Sequence, residues 1–564
     1  MGSNPTSGFI FLIKGRGSRE KARQQKAKAV VVSGEVSSVS AKEVSFPRDL
    51  PRKSEFSEWY SEVLWRAEIV DTRYPVKGVC VWYPFGFKLR NLIYGILRSL
   101  LDESGHQEAL FPLLIPRSEL LKEEKHIKGF EGEVFWVTRG GFEELEMPLA
   151  LRPTSETAIY PMFNLWIRSH RDLPIRIYQI VNVFRYETKH TRPLIRVREI
   201  TSFKEAHTAH ATREDAERQV RTAVEIYKQF FERLAVPFVV TKRPDWDKFP
   251  GAEYTIAFDT LMPDGRTMQI ATIHMLGENF SRTFDITFED ADGTRKFVQQ
   301  TCYGISERCV AAVIAIHGDD HGLVLPPEVA PVQVVVVPIL FSKASTAQTT
   351  QTHSQSSQGS SSEQSISAKE QESSDAESTN KRVLEVSRSV CEALKSAGIR
   401  VVLDDSEERP GAKFYKWEMK GVPLRIEIGP RDLQAERCVL VKRNDFQRIA
   451  VNIERVVPVV RETLSQIHAE MREKAWRKFA ERMHIVRASG AEEGDAVLQE
   501  MSARVSEGGG IFSVFICDSE DCGRRVKETA GVSVLGEPCE EQNEIAKCII
   551  CSKDCSRKYV AKAY

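Results

Sequence analysis

Two periodicities divide the first half of the chain. Over residues 59–105 apolar positions recur every three or four residues, and WYSEVLWRAEI and KLRNLIYGILRSLLDESG read as amphipathic helices. A third helix opens at Thr212, with Asp215 placed as in a capping box. It carries Ala216, Val220, Ala223, Tyr227 and Phe231 near one face. Between the helices the period drops to two, in GEVFWVTR, IRIYQIVNVFRYE, YTIAFDTL, RTMQIATIHML and FDITFED. Many strands and few helices predict a largely antiparallel sheet over residues 51–330.

The pattern changes after residue 330. VQVVVVPIL at 332–340 has the β-branched run of a buried strand. RVLEVSRSVCEALKSAG has helical spacing and stops at Gly398; IRVVLDD, AKFYKWEMKG and VPLRIEIGP then read strand, helix, strand. This βαβαβ order over 331–460 implies a small sheet with helices on its faces. It is interrupted at 342–380, where Ser, Thr and Gln fill 24 of 39 positions without an aromatic, the composition of a disordered insertion. After Val460 about 25 residues read as a charged helix, and a cysteine-rich tail completes 461–564.

A length of 564 residues implies several cores. Basic and acidic residues balance at 79 each, so a nucleic-acid partner would need a local basic face. No apolar run approaches the roughly 18 residues of a membrane span. Residues 1–50 include the basic stretch KGRGSREKARQQKAKAVVVSG and read as a disordered extension; a transit peptide or an RNA-touching arm is the alternative. Five cysteines are scattered over 80–438, which suits a reducing, cytoplasmic setting; six fall in the last 48 residues.

Four stretches could carry chemistry. In RPTSE, Thr154 and Glu156 stand at the mouth of an apolar segment, as a pocket for a small ammonium group would need or a surface loop could offer. In VFRYETKHTRPLIRVRE, Arg185 and Glu187 alternate along a strand, and a hairpin would gather Arg185, Arg192, Arg196 and Arg198. Such a cluster suits a phosphate or carboxylate, which the guanidinium fork binds bidentately; an exposed charged hairpin is the alternative. In CYGISERCVAAVIAIHG, Gly304 permits close backbone approach and Arg308 borders an apolar helix, either salt-bridged or aimed at a ligand. His274 lies on an apolar strand before Gly277, where a core histidine is the plain reading. In the tail, Cys517-x4-Cys522 and Cys548-x2-Cys551 have the spacing of a structural Zn²⁺ site, with redox thiols as the alternative. Cys539 and Cys555 are surplus, and Cys555 could replace a ligand.

Together these segments resemble the class II aminoacyl-tRNA synthetases, and within them the prolyl-tRNA synthetases of the archaeal and eukaryotic-like form without an inserted editing domain. The likeness runs from about residue 55 to 564, apart from 342–380. YPFGFKLRNLIYGILRSLL…ALFPLLIP, with Pro112, is similar to motif 1, the dimer-forming segment; VFRYE…RVRE to motif 2; and GISERCVAAVIAIHG to motif 3. RPTSE matches the Thr-x-Glu loop, PGAKFYKWEMKGVPLRIEIGPRD the anticodon-binding domain, and Tyr564 the end of the zinc-binding domain. The resemblance implies an α/β multidomain chain: an antiparallel-sheet catalytic domain at 51–330, an α/β anticodon-binding domain at 331–460 and a zinc-binding α+β domain at 461–564. It implies a homodimeric ligase using ATP, Mg²⁺, L-proline and tRNA(Pro).

It also implies roles. Thr154 and Glu156 would accept the proline N–H groups, with Arg185 on the carboxylate and α-phosphate and His274 beside the ring. Glu187 and Phe203 would meet adenine; Arg196 and Arg308 the outer phosphates; Gln269, Thr272 and Ser306 would complete the ATP site. Lys413, Phe414, Trp417, Lys420, Arg425 and Glu427 are the anticodon groups, although Phe414 and Trp417 could equally be core. The spacing between motifs 2 and 3 leaves no room for a full editing domain, so alanine and cysteine should be activated as well. A sister enzyme for threonine would need a metal-binding triad of Cys and His in the catalytic core, and none stands out in the sequence. A catalytically inactive RNA-binding regulator should have lost Glu156, Arg185 or Arg308.

Overall fold

The computed structural model describes residues 50–123, 130–341, 362–488, 490–540 and 544–564. The N-terminal extension, apart from its last residue, and the first half of the 342–380 insertion lie outside them.

The first domain is organised by an antiparallel run of strands in the order Val239–Lys242, Tyr254–Leu261, Thr267–Gly277, Gln299–Ile305, Glu199–His210 and Ile175–Phe184. Period two gives each strand two faces. One face carries Tyr178, Ala206, Ile273 and Tyr303 and is covered by the helices Pro84–Glu103 and Arg213–Arg233. The first helix begins with Pro84, whose fixed φ suits that position, and buries Leu89, Ile93, Leu97 and Leu100. The second buries the anticipated Ala216, Val220, Ala223, Tyr227 and Phe231. Its cap is only half the expected box: Thr212 Oγ1 accepts from Asp215 N at 3.2 Å, but the Asp215 carboxylate turns to His210 Nδ1 at 2.6 Å. A buried imidazole without that partner would be left unsatisfied, which outweighs one exposed terminal amide.

The other face bears Ile177, Ala209, Leu276 and Cys302, packed against the helix Glu156–Trp166 through Ile159, Tyr160 and Phe163. The expected strand FDITFED is reduced to Thr287–Glu289, in a separate two-stranded ribbon.

The second domain has the strand order Val401–Leu403, Val334–Pro338, Leu424–Ile428, Arg437–Lys442 and Arg448–Asn452, the first three parallel. The βαβαβ reading holds, with an antiparallel hairpin added at one edge. The predicted disordered insertion needs correction: the helix preceding Gly398 spans Ser362–Ser396, so it reaches back through residues 362–380. Extending a formed helix adds one hydrogen bond per residue fixed, and Ala, Glu, Gln and Lys propagate well.

The boundary drawn at 461 falls inside the helix Val456–Ala480. Its first turns join the second domain's core through Val460, Leu464 and Ile467, and Phe479 joins a different core with Ile511 and Tyr559. The last domain also continues the first domain's sheet, since Ser533–Pro538 pairs with Val239–Lys242.

Candidate active site

Antiparallel register lines up side chains from strands far apart in sequence. Thr255 stands opposite His274, His274 opposite Cys302, and Cys302 opposite His207. Phe203 and Glu205 continue the same face of their strand. These groups line one cavity of about 580 Å³, together with Thr154, Glu156, Arg185, Glu187, Arg196, Gln269, Thr272, Ser306 and Arg308. The sheet thus gathers every residue anticipated for proline and ATP.

The Thr-x-Glu loop is held rigidly. Arg152 is buried, donating from Nε to Asn182 O (2.8 Å) and from Nη1 to Phe111 O (2.7 Å). Ser155 N donates to Glu205 Oε2 at 3.1 Å, and Gln179 Nε2 donates to Ser155 Oγ at 2.9 Å. The loop therefore aims Glu156 inward at the start of its helix, 3 % exposed, with Oε2 accepting from the Thr154 hydroxyl. Burial pushes the Glu156 carboxyl upward, His207 opposes this and Glu205 reinforces it. A cationic ligand would offset that cost.

The arginine hairpin differs from expectation. The strand ends at Phe184, so Arg185 lies just past it, with its N–H bonded to Arg198 O at 2.9 Å. Only two of the four arginines face the cavity. Arg192 stacks over Phe56 and Tyr60 and donates to Tyr564 Oη at 3.2 Å; Arg198 stacks over Tyr186. Dispersing the cations onto aromatic faces relieves their repulsion. Arg185 donates to Pro153 O at 3.2 Å and lies 5.7 Å from the Phe203 ring; Arg196 is 3.7 Å from Glu187.

Arg308 opens the helix Arg308–His317, donating to Ile195 O (2.9 Å) and Gln269 O (3.2 Å). Burial, with Arg185 and Arg196 nearby, pulls it down to about 10, so it remains a cation at neutral pH. His274 receives or donates a bond with Thr255 at 2.9 Å and stacks against Phe249 with centroids 4.6 Å apart. Burial lowers it to about 3, so the ring presented to the cavity is neutral.

Sequence reading missed Glu205, His207, Phe249, Cys302 and Arg243. Arg243 forms a buried ion pair with Asp259 at 2.9 Å and also donates to Gln269 Oε1 at 3.1 Å. Their signal is cross-strand register, which no local motif reveals. No triad of Cys and His alone stands in this core among the described residues, but Glu156, His207 and Cys302 bring one oxygen, one nitrogen and one sulfur within 4.8 Å of one another.

The anticodon candidates are largely engaged within the protein. Lys413 Nζ donates to Asp404 O (2.9 Å), and Trp417 Nε1 to Asp404 Oδ2 (2.7 Å). Lys420 reaches Glu68 of the catalytic domain at 2.6 Å. Arg425 bonds Glu418 and Glu427 and covers Phe414 at 3.9 Å. The segment's exposed side chains include Tyr415, Lys416 and Arg431, with Lys416 3.5 Å from Asp404.

In the last domain, Cys517, Cys522, Cys548 and Cys551 place four sulfurs within 4.8 Å of one another. Cys517 and Cys551 are 3.5 Å apart, close to the ~3.8 Å that tetrahedral Zn–S bonds of ~2.3 Å impose, so the residues fit a zinc ion. Cys555 instead directs its thiol to Ala546 O at 3.6 Å.

A run of six antiparallel strands backing a cavity lined by Arg185, Arg196, Arg308 and a Thr-x-Glu pair, joined to a βαβαβ domain, is a class II aminoacyl-tRNA synthetase. Family models agree: the tRNA synthetase class II core domain (G, H, P, S and T) matches residues 135–317, an anticodon binding domain matches 367–463, and the prolyl-tRNA synthetase C-terminal domain matches 498–564. The chain is 51% identical to the proline–tRNA ligase of Methanosarcina mazei over 91% of its length and 98% of the relative's. It is 52% identical to that of Methanopyrus kandleri, over 90% and 96%. The chain belongs to the proline–tRNA ligase family. Among solved structures, Giardia lamblia prolyl-tRNA synthetase in complex with prolyl-adenylate superposes with a TM-score of 0.80 at 36% identity, covering 91% of this chain and 99% of that one. The Cryptosporidium parvum enzyme complexed with halofuginone and AMPPNP gives 0.78 at 31% identity, covering 92% and 97%.

Proposed function

We propose that this cavity activates L-proline with ATP and that the chain then transfers the prolyl group to tRNA(Pro). The observation that carries the reading is the buried Glu156 carboxylate with the half-buried Thr154 hydroxyl bonded to it. A secondary ammonium has two N–H donors, and these two side chains supply acceptors and the countercharge. Arg185 holds the proline carboxylate beside the α-phosphate. Neutral His274 and the Phe249 ring flank the pyrrolidine. Phe203 and Glu187 take the adenine, and Arg196 and Arg308 the outer phosphates, with Gln269, Thr272 and Ser306 completing the nucleotide site.

The proline carboxylate oxygen attacks the α-phosphorus in line. A new O–P bond forms as the bond to pyrophosphate breaks. The nucleophile is already ionised, so the work is positioning and charge neutralisation. Glu133 and Glu187 are oxygen donors of the kind Mg²⁺ takes, and the ion, when bound with ATP, neutralises phosphate charge. The terminal adenosine hydroxyl of the tRNA then attacks the adenylate carbonyl and AMP leaves.

Further parts of the reading rest on other features. Phe87, Leu110, Leu113 and Leu114 are exposed, Leu110 by 81 %, which supports a homodimer that covers this motif 1 face. The open Tyr415 supports anticodon contact by stacking in the 410–432 segment. The C-terminal cysteines would hold Zn²⁺ as a structural ion. The cysteines form no disulfide among the described residues, which suits work in the cytoplasm.

ATP–pyrophosphate exchange across the twenty amino acids, for wild type and Glu156→Ala, tests the reading. Strong exchange with proline, weaker exchange with alanine or cysteine, and loss of all three in the variant are expected. Folded protein that exchanges with no amino acid would instead be a non-catalytic RNA-binding relative, although Glu156, Arg185 and Arg308 are all in place.

A further inference from the structure

The Glu156–His207–Cys302 cluster does more than line a wall. Cys302 Sγ lies 4.0 Å from Glu156 Oε1. Thr154 occupies the other carboxylate oxygen, which leaves Oε1 on the cysteine side. His207 is 1 % exposed, and its Nε2 makes no hydrogen bond among the described residues; Glu205 Oε2 is 3.7 Å away. Its Nδ1 lies 3.1 Å from Tyr160 Oη. Coordination through Nε2 requires the ring proton on Nδ1, and Tyr160 stands where it would be accepted, as an outer-shell partner orients a liganding imidazole. His207 and Cys302 are direct cross-strand neighbours, so their separation is set by the sheet.

We infer that these three residues form a second metal site, which takes a thiophilic divalent cation such as Zn²⁺ inside the amino-acid pocket and closes that pocket to the amino acid. One sulfur, one nitrogen and one oxygen suit Zn²⁺, Co²⁺ or Cd²⁺ and not Mg²⁺. Three protein ligands leave a fourth position facing the cavity. Binding uses Glu156 as a ligand and releases the Cys302 proton to solvent, so the carboxylate that would receive the substrate ammonium is consumed. The metal and the amino acid therefore exclude each other. The site stands on its geometry alone; only the competition rests on the proline reading.

Cobalt tests it, because a cobalt–thiolate bond absorbs in the near ultraviolet. Full-length protein with zinc at its C-terminal cysteines is titrated with Co²⁺, as wild type, Cys302→Ser and His207→Gln, each checked for folding by circular dichroism. Wild type should gain one thiolate–cobalt band that Cys302→Ser lacks. His207→Gln should bind more than about tenfold more weakly, the order of loss that even outer-shell partners cause. Proline should abolish the wild-type band, and Zn²⁺ should raise the proline KM in exchange without lowering kcat. The same cobalt spectrum and affinity in all three proteins would mean binding at the C-terminal thiolates alone, and would overturn the site. A cobalt band that persists in saturating proline would overturn the exclusion. A wild-type-specific band in a protein without proline-dependent exchange would uphold the site and sink the functional reading.

Discussion

The four sulfurs near the C terminus come from two short segments, 517–522 and 548–551, while Cys302 and Glu156 meet across 146 residues of chain. The first cluster is all thiolate, and Cys551 is exposed. The second is mixed, fully buried and open only to a ligand cavity. A cluster of paired cysteines drawn from two segments serves the fold, because its ligands tie the start of the helix Glu520–Ala530 to the turn before the strand Asp554–Ala561. A cluster laid across adjacent strands is already held by the sheet, so its groups are available for binding.

Cys548→Ser should have the largest effect. Structural zinc contributes on the order of 10 kcal/mol to small domains. The variant should lose one equivalent of zinc by elemental analysis, and its thermal unfolding should lose cooperativity. Damage should spread inward, since Tyr564 Oη donates to Asp264 at 2.7 Å and Ser533–Pro538 extends the catalytic sheet. Retention of the metal and an unchanged Tm would break the contrast between a fold-making and a ligand-binding cluster.

The same contrast explains what was legible in the sequence. The C-terminal pairs could be read from spacing, and the helix carrying Ala216, Val220 and Tyr227 from its period. Thr154, Glu156, Arg185 and Arg308 stand in motifs whose resemblance is specific, and all line the cavity. His207, Cys302 and Phe249 could not be read, because their meaning depends on strand register and on which face meets the cavity. The split of the hairpin arginines was hidden for a similar reason. Phe56, Tyr60 and Tyr564, which receive Arg192, are remote in sequence. Lys413 and Trp417 look like base-reading groups until Asp404 is seen to hold both.

Burial of charge around the cavity gives a pH test of intermediate size. Glu307 is 1 % exposed; its Oε1 accepts from Thr201 N at 2.6 Å, while Oε2 has no hydrogen-bond partner among the described residues. Burial outweighs the Thr201 bonds and raises the carboxyl from 4.5 to about 7. An acid held protonated by the fold binds more protons folded than unfolded between these values. Stability should therefore fall as pH rises from 4.5 to 7, by on the order of 3 kcal/mol, and level off above. Glu307→Gln should flatten that part of the Tm-against-pH curve. An unchanged slope in the variant would assign the pH dependence to other groups.

The smallest effect is expected from packing without charge. A Cβ built on Gly304 would lie 3.2 Å from Phe203 Cζ, tight enough that the ring must shift by a few tenths of an ångström. The ring also lies 5.7 Å from the Arg185 guanidinium, so movement disturbs both the proposed adenine platform and the cation beside it. Overpacking of this kind costs about 1–3 kcal/mol, and about a two- to tenfold rise in the KM for ATP follows if half of it falls on nucleotide binding. Gly304→Ala should leave the proline KM unchanged, because Thr154, Glu156 and His274 do not touch the new methyl group among its nearest neighbours. Steady-state exchange with each substrate varied in turn separates the two constants. An equal rise in both would mean that Phe203 organises the whole cavity instead of its nucleotide half.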